Sequence, residues 1–183
     1  MAKLSRYFLA LIPPEPIYSE VMELKAYFRN QYNCKAPLRS PAHITLQMPF
    51  LLSEKKETVL IEKLNEFVVN QEGFDLGLHG FGAFAPRVIF VDVVESRQLK
   101  VLQKALADFM RRGLNVFDAN YKDRGFHPHM TIAFRDLKKA LFPQAWAEFE
   151  DRPYQATFAV NSIWLLKHDG KQWQPLHEFF LGG

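Results

Sequence analysis

Apolar residues recur along this chain in two rhythms: short continuous runs that suit buried strands, and wider spacings that suit one face of a helix. Residues 6–12, Arg-Tyr-Phe-Leu-Ala-Leu-Ile, predict a buried strand that Pro13-Pro14 stops. Ile17, Val21, Leu24 and Phe28 follow at helical spacing and predict a helix over 15–32. A strand is expected over 41–47. After it, Ser53 is placed to cap a second helix carrying Val59, Leu60, Leu64, Phe67 and Val68. A glycine-punctuated strand over 74–80 closes this half.

The second half repeats the order. Residues 87–93 read as a buried strand, and Ser96 opens a helix with Leu99, Leu102, Leu106, Phe109 and Met110 on one face, ending near Gly113. A strand is expected over 126–133, then a helix capped by Asp136 and running to 148. Residues 154–167 predict one or two strands. His168-Asp169-Gly170 predicts a type I′ hairpin turn, because Asp-Gly suits positive φ, and the strand returns over 172–181. Strand, helix, strand, helix, strand thus occurs twice. Two similar lobes related by a pseudo-twofold axis would bring the third element of each half face to face across a cleft. No linker divides the chain, so one domain over 1–183 is expected.

Composition narrows the class without deciding it. Hydrophobic residues make up 48% and charged residues 23% of 183 residues, the balance of an ordinary globular protein. Seventeen Phe must lie mostly inside. The net charge of +3 admits a phosphate-bearing ligand without requiring one, and no Lys/Arg block reads as a nucleic-acid tail. With Cys34 the sole cysteine, no internal disulfide can form and a reducing, cytoplasmic setting is expected. The apolar run at 7–12 is too short for a signal-peptide core or a membrane span. A monomer with no membrane partner is the expectation.

Candidate chemistry sits on the two repeated strands. His43-Ile-Thr45 and His129-Met-Thr131 each place an imidazole and a hydroxyl at i and i+2, on one face of a strand and ~6.5 to 7 Å apart. Displacement at phosphorus needs one group to deprotonate the nucleophile and another, on the opposite side, to protonate the leaving oxygen. Two histidines facing across a cleft can do both near neutrality. The threonine hydroxyls can stabilise charge on the non-bridging oxygens. One His-x-Thr is commonplace and carries little information; two copies at equivalent places in a duplicated layout, each strand started by a nearby proline (Pro41, Pro128), carry much more.

Pro-Ala-His43-Ile-Thr45-Leu and Arg124-Gly-Phe126-His-Pro128-His129-Met-Thr131-Ile resemble the paired signatures of the 2H phosphoesterase superfamily, most closely its 2′-5′ RNA ligase-like branch. Residues 81–91 are similar to the segment that family carries between its motifs, and the resemblance covers nearly the whole chain. It implies an α+β fold, bilobal and duplicated, with two mostly antiparallel sheets and outer helices around a central cleft. It further implies cofactor-free and metal-free action on 2′,3′-cyclic phosphates or 2′-5′ phosphodiesters of nucleotides or RNA ends, with the reverse ligation as an option. His43 and His129 would be the acid–base pair and Thr45 and Thr131 the phosphate-binding pair, with the assignment of acid and base left open. Relatives often carry an Arg five residues after the second motif histidine. Here Phe134 stands there and Arg135 follows, where an uninterrupted strand would return it to the face of His129 and Thr131 as a candidate phosphate contact. Relatives also often carry an aromatic five after the first histidine, where this chain has Met48 and then Phe50.

Gln47 shares the predicted face of His43 and Thr45 and is a candidate substrate contact. Arg124 and Lys122 precede the second motif and either attract an anion or are solvated loop charges. His127 beside His129 suggests a metal pair, but no third ligand has suitable spacing, so no metal site is expected. His79, His168 and His177 lack a partner pattern, and Trp146, Trp164 and Trp173 are expected to pack rather than to bind a base. Two other functions remain open on sequence: a nucleotide- or RNA-binding module with a vestigial site, and an enzyme of this fold acting on a small non-nucleotide substrate.

Overall fold

The computed structural model describes residues 3–116 and 125–182. In the first half, β1 (Leu4–Leu11), α1 (Ile17–Tyr32), β2 (Ile44–Ser53), α2 (Glu57–Val68) and β3 (Phe74–Phe84) follow one another. The second half runs β4 (Val88–Val93), α3 (Arg97–Leu114), β5 (His129–Ala133), α4 (Phe142–Ala147), β6 (Gln155–Val160), β7 (Ser162–His168) and β8 (Trp173–Phe180).

Two four-stranded antiparallel sheets result, in the orders β2-β1-β7-β8 and β5-β4-β3-β6. The expected duplication is visible here: β1 and β4 hold equivalent inner places, and β2 and β5, the motif strands, are equivalent edges. The two edges lie beside each other, and the long helices cross between lobes, α1 packing on β5 and α3 on β2. No helix among the described residues is long and apolar enough to cross a membrane.

Periodicity explains what each element buries. On β1, Tyr7, Leu9 and Leu11 enter the main core, while Phe8 and Ala10 join a separate small cluster with Leu166 on the opposite face. Helix α3 buries Leu99, Leu102, Leu106 and Met110, and Ser96 Oγ caps it by accepting from Leu99 N at 3.2 Å. Helix α1 buries Val21, Leu24 and Phe28, and with them Lys25. Phe28 and Phe81 each lie 5.0 Å from the fully buried ring of Phe149. Tyr27 and Tyr32 hydroxyls both donate to Glu148 and tie α1 to the end of α4.

Three local expectations fail for physical reasons. Ser53 makes no side-chain cap, because a 3₁₀ turn (Glu54–Lys56) intervenes before α2. Asp136 does not open α4, which starts at Phe142 after a 3₁₀ turn (Lys139–Leu141). Its carboxylate instead accepts from Lys35 N (2.8 Å), Ala36 N (2.9 Å) and Cys34 Sγ (3.0 Å), satisfying the chain as it leaves α1. The hairpin after β7 closes over residues 169–172 rather than as a two-residue turn: His168 pairs with Trp173, and Asp169 Oδ1 accepts from Lys171 N and Gln172 N.

Candidate active site

His43 stands just before β2, and its Nδ1 lies 2.7 Å from the Pro41 carbonyl oxygen. His129 opens β5, and its Nδ1 lies 2.7 Å from the His127 carbonyl oxygen. A carbonyl can only accept, so each Nδ1 carries the hydrogen and each Nε2 is left to exchange a proton. The same bond, to the carbonyl two residues back, occurs in both lobes.

Each ring also rests on a phenylalanine from the neighbouring inner strand. Phe8 of β1 lies 5.0 Å from His43 at 52°, and Phe90 of β4 lies 4.9 Å from His129 at 49°. Both phenylalanines are nearly fully buried, at 3% and 2% exposure. Phe84 adds an edge contact to His129 at 5.2 Å. Thr45 pairs with Ala10 and Thr131 with Phe90, so the hydroxyls sit on the faces that carry Phe8 and Phe90. All four motif residues are half-buried.

Gly82 makes the second aromatic seat feasible. It pairs with Phe90, and a Cβ built there would lie 2.3 Å from that ring. Gly82→Ala is therefore expected to tilt Phe90, loosen His129 and cost about 1–3 kcal/mol. Thermal melting of the variant, with the His129 ring proton shifts followed by NMR, checks this. An unchanged melt with unmoved ring shifts would contradict it.

Electrostatically the two sites differ. Burial, the nearby Lys25 ammonium and the other histidine push His43 down to about 3, against a smaller opposing pull from the Pro41 carbonyl. His129 is also lowered, chiefly by burial and further by the neighbouring His127 imidazole, while its bond to the His127 carbonyl and, more weakly, Asp92 pull it upward. Asp92 is its direct partner across the β4–β5 ladder. Lys25, 1% exposed, donates from Nζ to the carbonyls of Ser40 (3.0 Å) and Pro41 (2.9 Å). One carbonyl thus serves both the lysine and His43 Nδ1. His43 and His129 stand at the starts of the adjacent edge strands β2 and β5, and the His129 imidazole adds a small further lowering to His43.

The remaining predicted contacts fare differently. Gln47 does not share the cleft face: register shifts in β2 put it opposite Leu9, a core residue, and leave it 1% exposed. Its Oε1 finds no hydrogen-bond partner among the described residues. Arg135 is also turned away from the predicted face. Strand β5 ends at Ala133, Arg135 adopts φ +46, and its guanidinium packs over Phe134 while its carbonyl accepts from Arg87 Nη1. Phe50 stacks on Tyr7 in the core. His127 is exposed, 3.8 Å from Asp92, and no group of three or more His, Cys, Asp or Glu among the described residues could hold a metal ion. Lys122 and Arg124 lie outside the described residues.

Sequence reading missed Lys25, Phe8, Phe90 and Asp92. A lysine between Val21 and Phe28 on an otherwise apolar helical stripe was a readable signal. So was a phenylalanine in the first strand of each half.

The sequence matches the profile of the 2′-5′ RNA ligase superfamily over residues 13–172. It is 24% identical to a provisionally named phosphoesterase of Geobacillus sp. (strain WCH70), over 97% of each chain. The fold is similar to that of a crystallised phosphoesterase, at 25% identity, 98% and 99% coverage and a TM-score of 0.67. It is also similar to E. coli LigT complexed with 3′-AMP, at 23% identity, 98% and 99% coverage and a TM-score of 0.69.

Proposed function

Because this chain belongs to the 2′-5′ RNA ligase superfamily of 2H phosphoesterases, we propose that it opens 2′,3′-cyclic phosphates of nucleotides or RNA ends to 2′-phosphomonoesters, without a metal. The observation that carries this reading is the doubled imidazole seat: two histidines, each with Nδ1 fixed on the carbonyl two residues back and Nε2 left to exchange a proton. A structural histidine needs no such matched partner across a cleft. The complexes of LigT with 3′-AMP and with phosphate support a nucleotide phosphate as the ligand class.

The asymmetry around the rings supports one division of roles. Burial, with Lys25 beside it, holds His43 neutral, and it serves as the base. His43 Nε2 takes a proton from water as the water oxygen bonds to phosphorus. The bond from phosphorus to the ribose 3′ oxygen breaks, and His129 Nε2 gives its proton to that oxygen. The incoming phosphate anion, with a small pull from Asp92, supplies the negative charge that lets His129 hold a proton first. Thr45 and Thr131 donate to the non-bridging oxygens, whose charge grows in the transition state. With a ribose 5′-hydroxyl in place of water, the same ring opening would make a 2′-5′ linkage, and its reverse would cleave that linkage back to the cyclic phosphate.

A panel of 2′,3′-cyclic nucleotides and 2′-5′ dinucleotides, with and without a strong chelator, tests the reading. Turnover of the cyclic esters that is unchanged by the chelator is expected. Activity lost with the chelator and restored by a divalent ion would refute the metal-free step.

A further inference from the structure

The face of the first sheet that carries Thr45 continues well past the two histidines. Strand register maps it. Thr45 aligns with Ala10 and Trp164; one step along come Phe8 and Leu166; beyond them stand Arg6, His168 and Trp173. From Ala10 to Arg6 is four residues of β1, about 13 Å at ~3.3 Å per residue. The strip is continuous, since His43 touches Phe8 at 5.0 Å, Phe8 meets Trp173 edge-on at 4.6 Å, and Trp173 meets His168 at 4.9 Å.

Its far end carries an arginine with no carboxylate in contact. The Arg6 guanidinium lies 5.8 Å over the Trp173 ring and reaches His168 Nδ1 at 3.0 Å. Gly170 N also donates to that Nδ1, at 3.0 Å, so Nδ1 is an acceptor and the ring hydrogen of neutral His168 sits on Nε2. Burial and Arg6 hold His168 below its ordinary pKa, with Asp169 pulling the other way. Arg6 forms no ion pair with a carboxylate among the described residues. The nearest acid, Asp169, is occupied by Lys171 N, Gln172 N and Gln174 Nε2. Lys167, by contrast, points to the other face and is neutralised by Glu54 (3.1 Å) and Glu57 (2.7 Å). An arginine stacked on an aromatic and lacking a carboxylate is arranged to receive an oxyanion.

We propose that this strip is a second subsite for single-stranded RNA: Arg6 and His168 hold a phosphodiester upstream of the reacting end, and Trp173 offers an adjacent base a stacking surface. The inference rests on the phosphodiesterase reading and narrows its substrate to an RNA end bearing the cyclic phosphate, in preference to a free mononucleotide. Phosphate contacts and aromatic stacking together are how single strands are held without sequence preference. This role replaces the expectation that Trp173 only packs.

Fluorescence anisotropy with a short labelled single-stranded RNA ending in a 3′-phosphate, competed by a 3′-phosphorylated mononucleoside, tests the subsite without relying on turnover. The wild-type chain is expected to bind the strand at least about tenfold tighter than the mononucleoside. Arg6→Gln should weaken strand binding roughly tenfold and reduce the salt slope by ~0.7, the share of one phosphate on a single strand. Trp173→Leu should weaken binding similarly with the slope unchanged, because stacking releases no counterion. Melting curves confirm that each variant is folded. Equal wild-type affinity for strand and mononucleoside, or an Arg6→Gln affinity and slope like wild type, would overturn the subsite even if cyclic mononucleotides are opened. A strand held through Arg6 whose cyclic end is never opened would instead overturn the phosphodiesterase reading and leave the subsite standing.

Discussion

Alanine at His43 or at His129 will lower turnover of a 2′,3′-cyclic phosphate by roughly 10² to 10⁴, the worth of one positioned acid or base. The fold should survive both changes. Each ring is half-buried at a strand start, and its one resolved bond is to a nearby carbonyl that Lys25 or solvent can still satisfy. The pH profile separates the roles. A base must be neutral, so its pKa sets the acidic limb of a bell-shaped profile; an acid must be protonated, so its pKa sets the alkaline limb. His43→Ala should therefore flatten the acidic limb, and His129→Ala the alkaline one. Near-normal rates in both variants would contradict the mechanism, and exchanged limbs would reverse the assignment. Thr45→Val and Thr131→Val should cost less each, since each hydroxyl is one of several donors.

The second large effect belongs to Lys25. Burial lowers its amine to about 7 in the folded protein, whereas in the unfolded chain it returns to ~10.4. Between those values the unfolded chain binds a proton that the folded chain does not. Stability must therefore rise as pH climbs through this window and fall as pH drops back toward 7. A full shift of that size is worth on the order of 4 kcal/mol, less whatever the Ser40 and Pro41 carbonyls return to the charged form. In Lys25→Met that component should vanish, so that urea midpoints of wild type and variant diverge steadily above neutrality. The variant also frees the Ser40 carbonyl, at a cost of about 1–3 kcal/mol if it stays buried. In the same variant the loss of a neighbouring cation should raise the pKa of His43 and carry the acidic limb of activity to higher pH. Parallel stability curves for the two proteins would contradict the account of the buried amine.

Element order and the two motifs were legible because they depend on local periodicity, which one strand or helix displays by itself. Even Ser96 as the cap of α3 could be read, since cap and helix adjoin. What depended on partners distant in sequence could not. Gln47 was placed on the cleft face by counting residues, and the shifts between β1 and β2 defeat the count. Arg135 was extrapolated along a strand that stops at Ala133 because the next residues turn, with Arg135 in the left-handed region. Asp136 looked like a helix cap, yet its acceptor capacity is spent on Lys35 and Ala36, in the other lobe's connection. The motif histidines were found by type and spacing, but their bond to the second carbonyl back and their phenylalanine seats are matters of rotamer and of sheet order. Lys25 on one side and Asp92 on the other, on which the proposed division into base and acid rests, come beside the histidines only when helix and ladder are assembled.

Phosphorus NMR of a 2′,3′-cyclic nucleotide incubated with the wild-type protein tests the central claim most directly. The account predicts that the cyclic ester resonance gives way to a single 2′-phosphomonoester resonance, and that His43→Ala and His129→Ala each slow the change by the factors above. A cyclic resonance that persists unchanged beside folded wild-type protein would contradict it.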